Sequence, residues 1–422
     1  MKNNASDKNE NKQKIKPPVK PFVRPSDKPS GDQERQGLNR TASALSGSAR
    51  QAESFPTLAV ILRFAQQQKA SDIHIGGGEI WIRTDGKLAR VRTGDGKAAE
   101  RACDEAEALT EKRTDCGASI IPGTRQRLHR FRSMGGDCLC IRLLPGQVPD
   151  ARTLGLTPGL IELSSLRAGM ILVAGPTGSG KSTTLAALIR EAAVNRACTI
   201  VTLEDPAEYD LAGIPECRSL IRQREIGRDI ESYEEGLREA MRQDPDLIMI
   251  GELRDEKTAE QALKAAETGH LVMSTLHTTD CAQSVDRFLE MFRPESRDSA
   301  RGVLADVLEA VCVQRLIPAV GGGRVAVREI MRGTPAVKGL IRDGRTHQLK
   351  NVIQTSGSEG MVLFDRDLAD LVGCGRVAEE NALLYAAEPA QLSGYLKNQT
   401  PKPVPGGQSE EERSISLLNK SV

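Results

Sequence analysis

Apolar residues change their spacing along the chain, and each change predicts an element. Leu58 to Gln67 repeats at helical spacing; Ile73-His74-Ile75 and Glu79-Ile80-Trp81-Ile82-Arg83 then alternate with the two-residue period of a strand, and Asp85-Gly86 supplies the turn. Phe55 to Pro145 therefore reads as a small α+β unit. From about Gly155 to Leu384, β-like runs at Ile171 to Ala174, Thr199 to Leu203, Leu247 to Ile250 and Leu271 to Thr275 alternate with longer helical patterns. Strands interleaved with helices predict a mostly parallel, doubly wound sheet whose ligand sits at the strands' carboxyl ends. The expected fold class is α/β, with a smaller unit over 55–150, a larger one over 151–395, and no internal repeat at periods of ~20 to 50 residues.

Both ends lose this patterning. Residues 1–54 are rich in Lys, Asn, Pro, Ser and Gln, a composition that cannot offset the entropy of ordering, so a disordered basic arm is expected. Its first 50 residues hold 11 Lys/Arg against 5 Asp/Glu, which fits a solvated tail or a contact with anionic lipid or an acidic partner. Residues 396–422, with Pro401, Pro403, Pro405 and Glu410 to Glu412, read as a second flexible tail.

Over all 422 residues the formal charge is only +1 and aromatics make up 3%. Stable nucleic-acid binding favours a basic face with stacking rings, and is not expected here. No apolar run approaches the ~20 residues of a membrane span, and no apolar segment follows the basic start as in a signal peptide. The chain thus reads as cytoplasmic, without a transmembrane segment. Its 9 cysteines include no CxxC pair and read as reduced, mostly buried thiols rather than zinc ligands.

The chemistry enters at Gly175-Pro176-Thr177-Gly178-Ser179-Gly180-Lys181-Ser182, a GxxxxGK[ST] loop between the Met170 to Ala174 strand and the helical stretch from Thr183 to Val194. In that context backbone amides close around the β- and γ-phosphates of ATP, Lys181 adds a cation, and the Ser182 hydroxyl ligates Mg²⁺. Thr183 completes the nucleotide-binding set. The Leu247 to Ile250 strand ends in Gly251-Glu252, where a hydrolase of this class would place a Mg²⁺-directing Asp directly after the strand. With Gly251 there, Glu252 is better suited to orient or deprotonate the attacking water. Glu204-Asp205-Pro206-Ala207-Glu208 follows the Thr199 to Leu203 strand, so Glu204 can replace the missing Asp through a water in the metal shell. His277, with Thr278 and Thr279, closes the Leu271 to Thr275 run and is placed to sense the γ-phosphate.

These motifs, in this order, resemble the type II/IV secretion and type IV pilus ATPase superfamily, and most closely the pilus retraction ATPases of the PilT family. The resemblance runs from Leu58 to Ala387. It is carried by Ala70-Ser71-Asp72-Ile73-His74, Arg83-Thr84-Asp85-Gly86, the Gly175 to Thr183 loop, Glu204-Asp205-Pro206, Gln223 to Asp229, Asp244 through Asp255, and Ala266-Glu267-Thr268-Gly269-His270. It implies a PAS-like N-terminal domain, a RecA-like motor domain, a homohexameric ring, and ATP hydrolysis that does work on a pilus or secretion base through an inner-membrane platform protein. By position, the acid-box role falls on Glu204, that of catalytic glutamate on Glu252, and the His-box role on His277, with His270 the weaker candidate. The resemblance also implies arginines sent from the first domain toward ATP, of which Arg127 and Arg142 align most naturally. A further arginine of the family pattern is replaced at Met134-Gly135, which leaves Arg130 or Arg132 in its stead. In such a ring the basic run of one subunit is expected to complete a neighbour's site.

Absence of two CxxC pairs after the motor core resembles the retraction branch rather than the assembly and secretion branches. Toward the C-terminus, Gly333-Thr334-Pro335-Ala336-Val337-Lys338-Gly339-Leu340-Ile341-Arg342-Asp343 resembles the retraction family's helix signature. Ala336, Val337, Leu340 and Ile341 fall on one helical stripe, with Lys338 and Arg342 off it. Retraction leads; a secretion or conjugation ATPase, an assembly motor and a RecA-like nucleic-acid motor stay open.

Overall fold

A computed structural model describes residues 55–398, save positions 85, 112, 122, 123 and 145. The arm expected at 1–54, the turn residue Asp85 and the tail beyond 398 lie outside the described residues.

The first unit begins with α1 (Leu58–Gln67), whose Leu58, Ile61, Leu62 and Ala65 are buried at the spacing of a single helical face. Strands β1 (Asp72–Gly76), β2 (Glu79–Thr84) and β3 (Lys87–Val91) precede α2 (Ala98–Leu109), and β4 (Asp115–Ala118), β5 (Arg125–Ser133) and β6 (Gly136–Leu144) follow it. They form one six-stranded sheet in the order β3-β2-β1-β6-β5-β4, antiparallel throughout. Alternation puts Ile73, Ile75, Ile80, Ile82, Leu128, Leu139 and Ile141 on the face that both helices cover. The Glu105 carboxylate on α2 accepts from the Leu58 amide at 2.7 Å and so caps α1.

In the second unit α3 (Pro158–Glu162) leads into β7 (Gly169–Ala174), α4 (Lys181–Asn195), β8 (Thr199–Glu204), β9 (Leu220–Glu225), α5 (Tyr233–Ala240) and β10 (Leu247–Ile250). Next come α6 (Glu256–Glu267), β11 (Leu271–Leu276), α7 (Cys281–Glu290), α8 (Pro294–Val307), β12 (Leu308–Pro318) and β13 (Arg324–Arg332). The sheet runs β13-β12-β7-β11-β10-β8-β9. All its pairings are parallel but β12 with β13. Strands β7, β10 and β11 are buried along their whole length, because α3 and α4 pack on one face and α5 to α8 on the other. These are the apolar runs visible in the sequence. Strands β9, β12 and β13 are not among those runs: β9 is an edge strand carrying Arg222, Gln223 and Arg224, and the apolar run of β12 is broken by Gln314 and Arg315.

Five helices end the described chain: α9 (Pro335–Arg342), α10 (Leu349–Thr355), α11 (Phe364–Gly373), α12 (Glu379–Tyr385) and α13 (Pro389–Lys397). Phe364, Leu368 and Leu392 cover the far end of β12 and β13 around Ile317, Val325 and Val327. The buried Asp365 carboxylate accepts from the Ala387 and Glu388 amides at 2.8 and 2.7 Å, fixing the turn into α13. That helix reaches Lys397, so order persists past Tyr395. Among the described residues, no helix is long and apolar enough to cross a membrane.

Candidate active site

Because β7, β8, β10 and β11 run parallel, their carboxyl ends share one edge, and the chemical motifs follow those ends. They open onto a cleft of about 380 Å³. The loop from Gly175 turns into α4 at Gly180, whose φ of +87° is one that residues with a Cβ rarely adopt. Lys181, the first residue of α4, is buried, and its Nζ donates to the loop carbonyls of Gly175 and Pro176 at 2.9 and 3.1 Å. Burial holds its pKa below the ordinary lysine value, against the pull of Glu252 and Glu208. Ser182 is exposed and, with Thr177 and Gly178, lines the cleft. The Thr183 hydroxyl instead hydrogen-bonds Tyr209 at 2.9 Å.

Three of the expected acid and histidine positions meet at the same cleft. Glu204, the last residue of β8, is buried, and its Oε1 accepts from Thr202 Oγ1 at 2.7 Å and from Gln223 Nε2 at 2.9 Å. Burial raises its pKa in spite of those two donors. Glu252 follows β10 by two residues, pairs with Arg254, and lies 3.5 Å from His277 Nε2. A Cβ at Gly251 would stand 2.8 Å from the Tyr233 hydroxyl. Tyr233 thus occupies the space that a side chain directly after the strand would need, and the acid comes one residue later. The other histidine, His270, precedes β11; its Nδ1 faces the Ala265 carbonyl at 3.0 Å, at the end of the strand opposite the cleft.

The arginines separate. Arg127 lines the cleft of its own chain and is held by a two-pronged pair with Asp115 at 2.7 and 3.0 Å. Arg142 does not line the cleft; its Nε donates to Asp72 at 3.1 Å on the exposed sheet face. Arg130 pairs with Glu107 and Arg132 with Asp137, both away from the cleft lining.

Sequence reasoning missed several residues. Tyr209, Tyr233 and Arg254 also line the cleft. Gln314 of β12 lies behind the loop, 1% exposed; its Nε2 donates to the Ser179 carbonyl at 2.8 Å and its Oε1 accepts from Thr184 Oγ1 at 2.9 Å. A buried amide in an apolar strand was the available signal, since such a group needs partners.

The residues fit a nucleotide. The Ser179 hydroxyl is buried without a partner, and the first amides of α4 have no intrahelical acceptor; a polyphosphate supplies acceptors for such donors. Among the described residues no three carboxylates, histidines or thiols converge into a metal cage. The donors at hand, the Ser182 hydroxyl and the Glu204 carboxylate, are hard oxygens of the kind that holds Mg²⁺ together with phosphate and water.

The sequence profile described as type II/IV secretion system protein matches residues 49–323. The chain is 38% identical over 333 residues to the type IV pilus retractation ATPase PilT of Pseudomonas aeruginosa, covering 76% of this chain and 96% of that protein. It is 45% identical over 269 residues to the uncharacterized protein YggR of Escherichia coli, covering 64% of this chain and 82% of the other. Among solved structures it is similar to the pilus retraction motor PilT with bound ADP, at a TM-score of 0.71 and 34% identity over 80% of this chain and 99% of that one. It is also similar to the Legionella pneumophila ATPase DotB, at a TM-score of 0.66 and 27% identity over 79% and 97% of the two chains.

Proposed function

Because this chain belongs to the type II/IV secretion system protein family and is an ATP-hydrolysing motor of the pilus-retraction type, we propose that it turns over ATP in the cleft at the sheet's carboxyl edge and spends that energy on retracting a pilus. The observation that carries this reading is the convergence of Lys181, Ser182, Glu204 and Glu252 on one cleft beneath the loop. The retraction branch is supported by the likeness to PilT along 96% of that protein's length.

In this reading Lys181 leaves the Gly175 and Pro176 carbonyls for the phosphates, and the amides from Gly178 to Thr183 bind the same oxygens. Ser182 would hold Mg²⁺ directly and Glu204 through a water, and the ion would supply positive charge beside the β- and γ-phosphates. Glu252 orients the attacking water and takes up its proton; His277, beside it, reports the state of the γ-phosphate. Arg127 meets charge developing on the phosphoryl group. Arg142 is the weaker arginine of the two, since it does not line the cleft.

The six-stranded N-terminal sheet with its helices acts as a PAS-like domain over 55–150, and the seven-stranded unit over 151–395 as a RecA-like motor with C-terminal helices. The assembled form is a cytoplasmic homohexamer docked on an inner-membrane platform protein. Steady-state hydrolysis and nucleotide binding by purified protein test the reading. Lys181→Ala is expected to abolish turnover, and Glu252→Gln to retain nucleotide while hydrolysing at least ~100-fold more slowly. Near-normal turnover by Glu252→Gln would transfer the role of base to another acid, with Glu204 first in line.

A further inference from the structure

Arg125 lies two residues before Arg127 on the same face of β5, yet it enters the motor fold rather than the cleft. Its guanidinium pairs with Glu225 at the end of β9; the two side chains are 15% and 5% exposed. Arg125 Nε also donates to the Ala207 carbonyl at 2.6 Å, while Glu225 Oε1 accepts from the Ala207 amide at 3.2 Å. One buried ion pair therefore holds both backbone groups of Ala207. That residue sits in the middle of the loop between Glu204 and Tyr209. Gln223 also restrains the loop, donating to Glu204 Oε1 and to the Tyr209 carbonyl at 2.9 and 3.0 Å. The first unit makes room for this contact: a Cβ at Gly117 on β4 would stand 2.6 Å from both Arg125 Nη2 and Glu225 Oε1.

A buried ion pair contributes little net stability once its desolvation is counted, and its value lies in geometry. We propose that Arg125 is a positioning residue for ATP hydrolysis: through Glu225 and Ala207 it latches the N-terminal sheet to the 205–209 loop and sets the cleft carboxylates against the phosphate loop. The latch rests on the ATPase reading above. It also makes the placement of Arg127 and of the acid loop a single event, because both hang from β5.

The test compares full-length wild type with Arg125→Gln, Gly117→Ala and Arg125→Lys. Three quantities are measured: the Kd for a fluorescent ADP analogue, kcat per bound nucleotide, and hydrogen exchange of the amides from 205 to 211. Arg125→Gln and Gly117→Ala are expected to lower kcat about tenfold or more, to leave the Kd within about twofold, and to speed exchange of those amides about tenfold. Arg125→Lys, which keeps the charge, recovers part of the lost kcat. An ion pair that only stabilises would lower the unfolding temperature and leave kcat per site and loop exchange at wild-type values, which overturns the proposal. Parallel loss of Kd and kcat overturns it as well. A wild type that binds nucleotide without turnover contradicts the ATPase reading instead, and loop exchange then decides the latch by itself.

Discussion

Lys181 spends its ammonium on the carbonyls of its own loop, and Gln314 fixes that loop from behind. In a trans peptide the carbonyl and the next amide point in opposite directions, so anchoring the Ser179 carbonyl on Gln314 turns the Gly180 amide away from Gln314. Replacing Gln314 by Leu leaves the Ser179 carbonyl and the Thr184 hydroxyl unsatisfied, a loss of about 1–3 kcal/mol. Calorimetry should find ADP affinity weakened roughly tenfold, whereas Gln314→Glu, which keeps the acceptor for Thr184 but not the donor for Ser179, should fall between. Unchanged affinity in the Leu variant would make Gln314 mere filling. The contrast also marks what a sequence discloses. Lys181, Ser182 and Glu252 are legible because their roles follow from local spacing and from the strand each one follows. Gln314 is separated from Thr184 by 130 positions, and its partners exist only once β12 lies against β7. His270 shows a related limit: its neighbours in sequence match the motif, while the fold sets it at the end of β11 away from the cleft.

Helix α9 shows how far an apolar stripe can be trusted. Val337 and Ile341 are fully buried, as the stripe implies, but Ala336 is exposed and Leu340 only half-buried. Lys338, expected to point away, bends back so that its Nζ donates to the Asp306 carbonyl at 2.9 Å and to Glu309 at 3.0 Å. Gly339 lies inside this helix, and a Cβ there meets nothing within 4 Å. Gly339→Ala should therefore stabilise the protein by about 0.5–1 kcal/mol in denaturant unfolding; a destabilised variant would mean that this face is covered in the assembly. Arg342 is half exposed and pairs with Asp306, an interaction of the kind that contributes ~0–1 kcal/mol. Arg342→Ala is expected to leave folding and ATP hydrolysis nearly unchanged and to impair surface motility in cells. If both outputs fall together, or neither does, α9 is packing and transmits nothing. The central strands were legible as apolar runs because helices cover both faces, whereas β9 at the sheet edge was hidden by the polar side chains an edge strand can carry.

At the scale of the molecule, two sheets of different construction meet through Arg125, while Arg127 reaches the cleft of its own chain. If Arg127 serves the cleft that it lines, mixing subunits gives a definite result. Subunits carrying Arg127→Ala mixed with subunits carrying Glu252→Gln should hydrolyse no more ATP than the two parents do separately, since no mixed interface rebuilds an intact cleft. Restored turnover in verified mixed rings would show that the arginine acts on a neighbour. The central claim, that ATP turnover here drives retraction, is tested most directly in a strain deleted for this chain's gene and supplied with either wild type or Glu252→Gln. Surface pili and spreading on agar are scored side by side. The account predicts that wild type restores normal piliation and movement, while Glu252→Gln leaves cells hyperpiliated and immotile. Bald cells, or normal pili and movement with a lost transfer of protein or DNA, would contradict it.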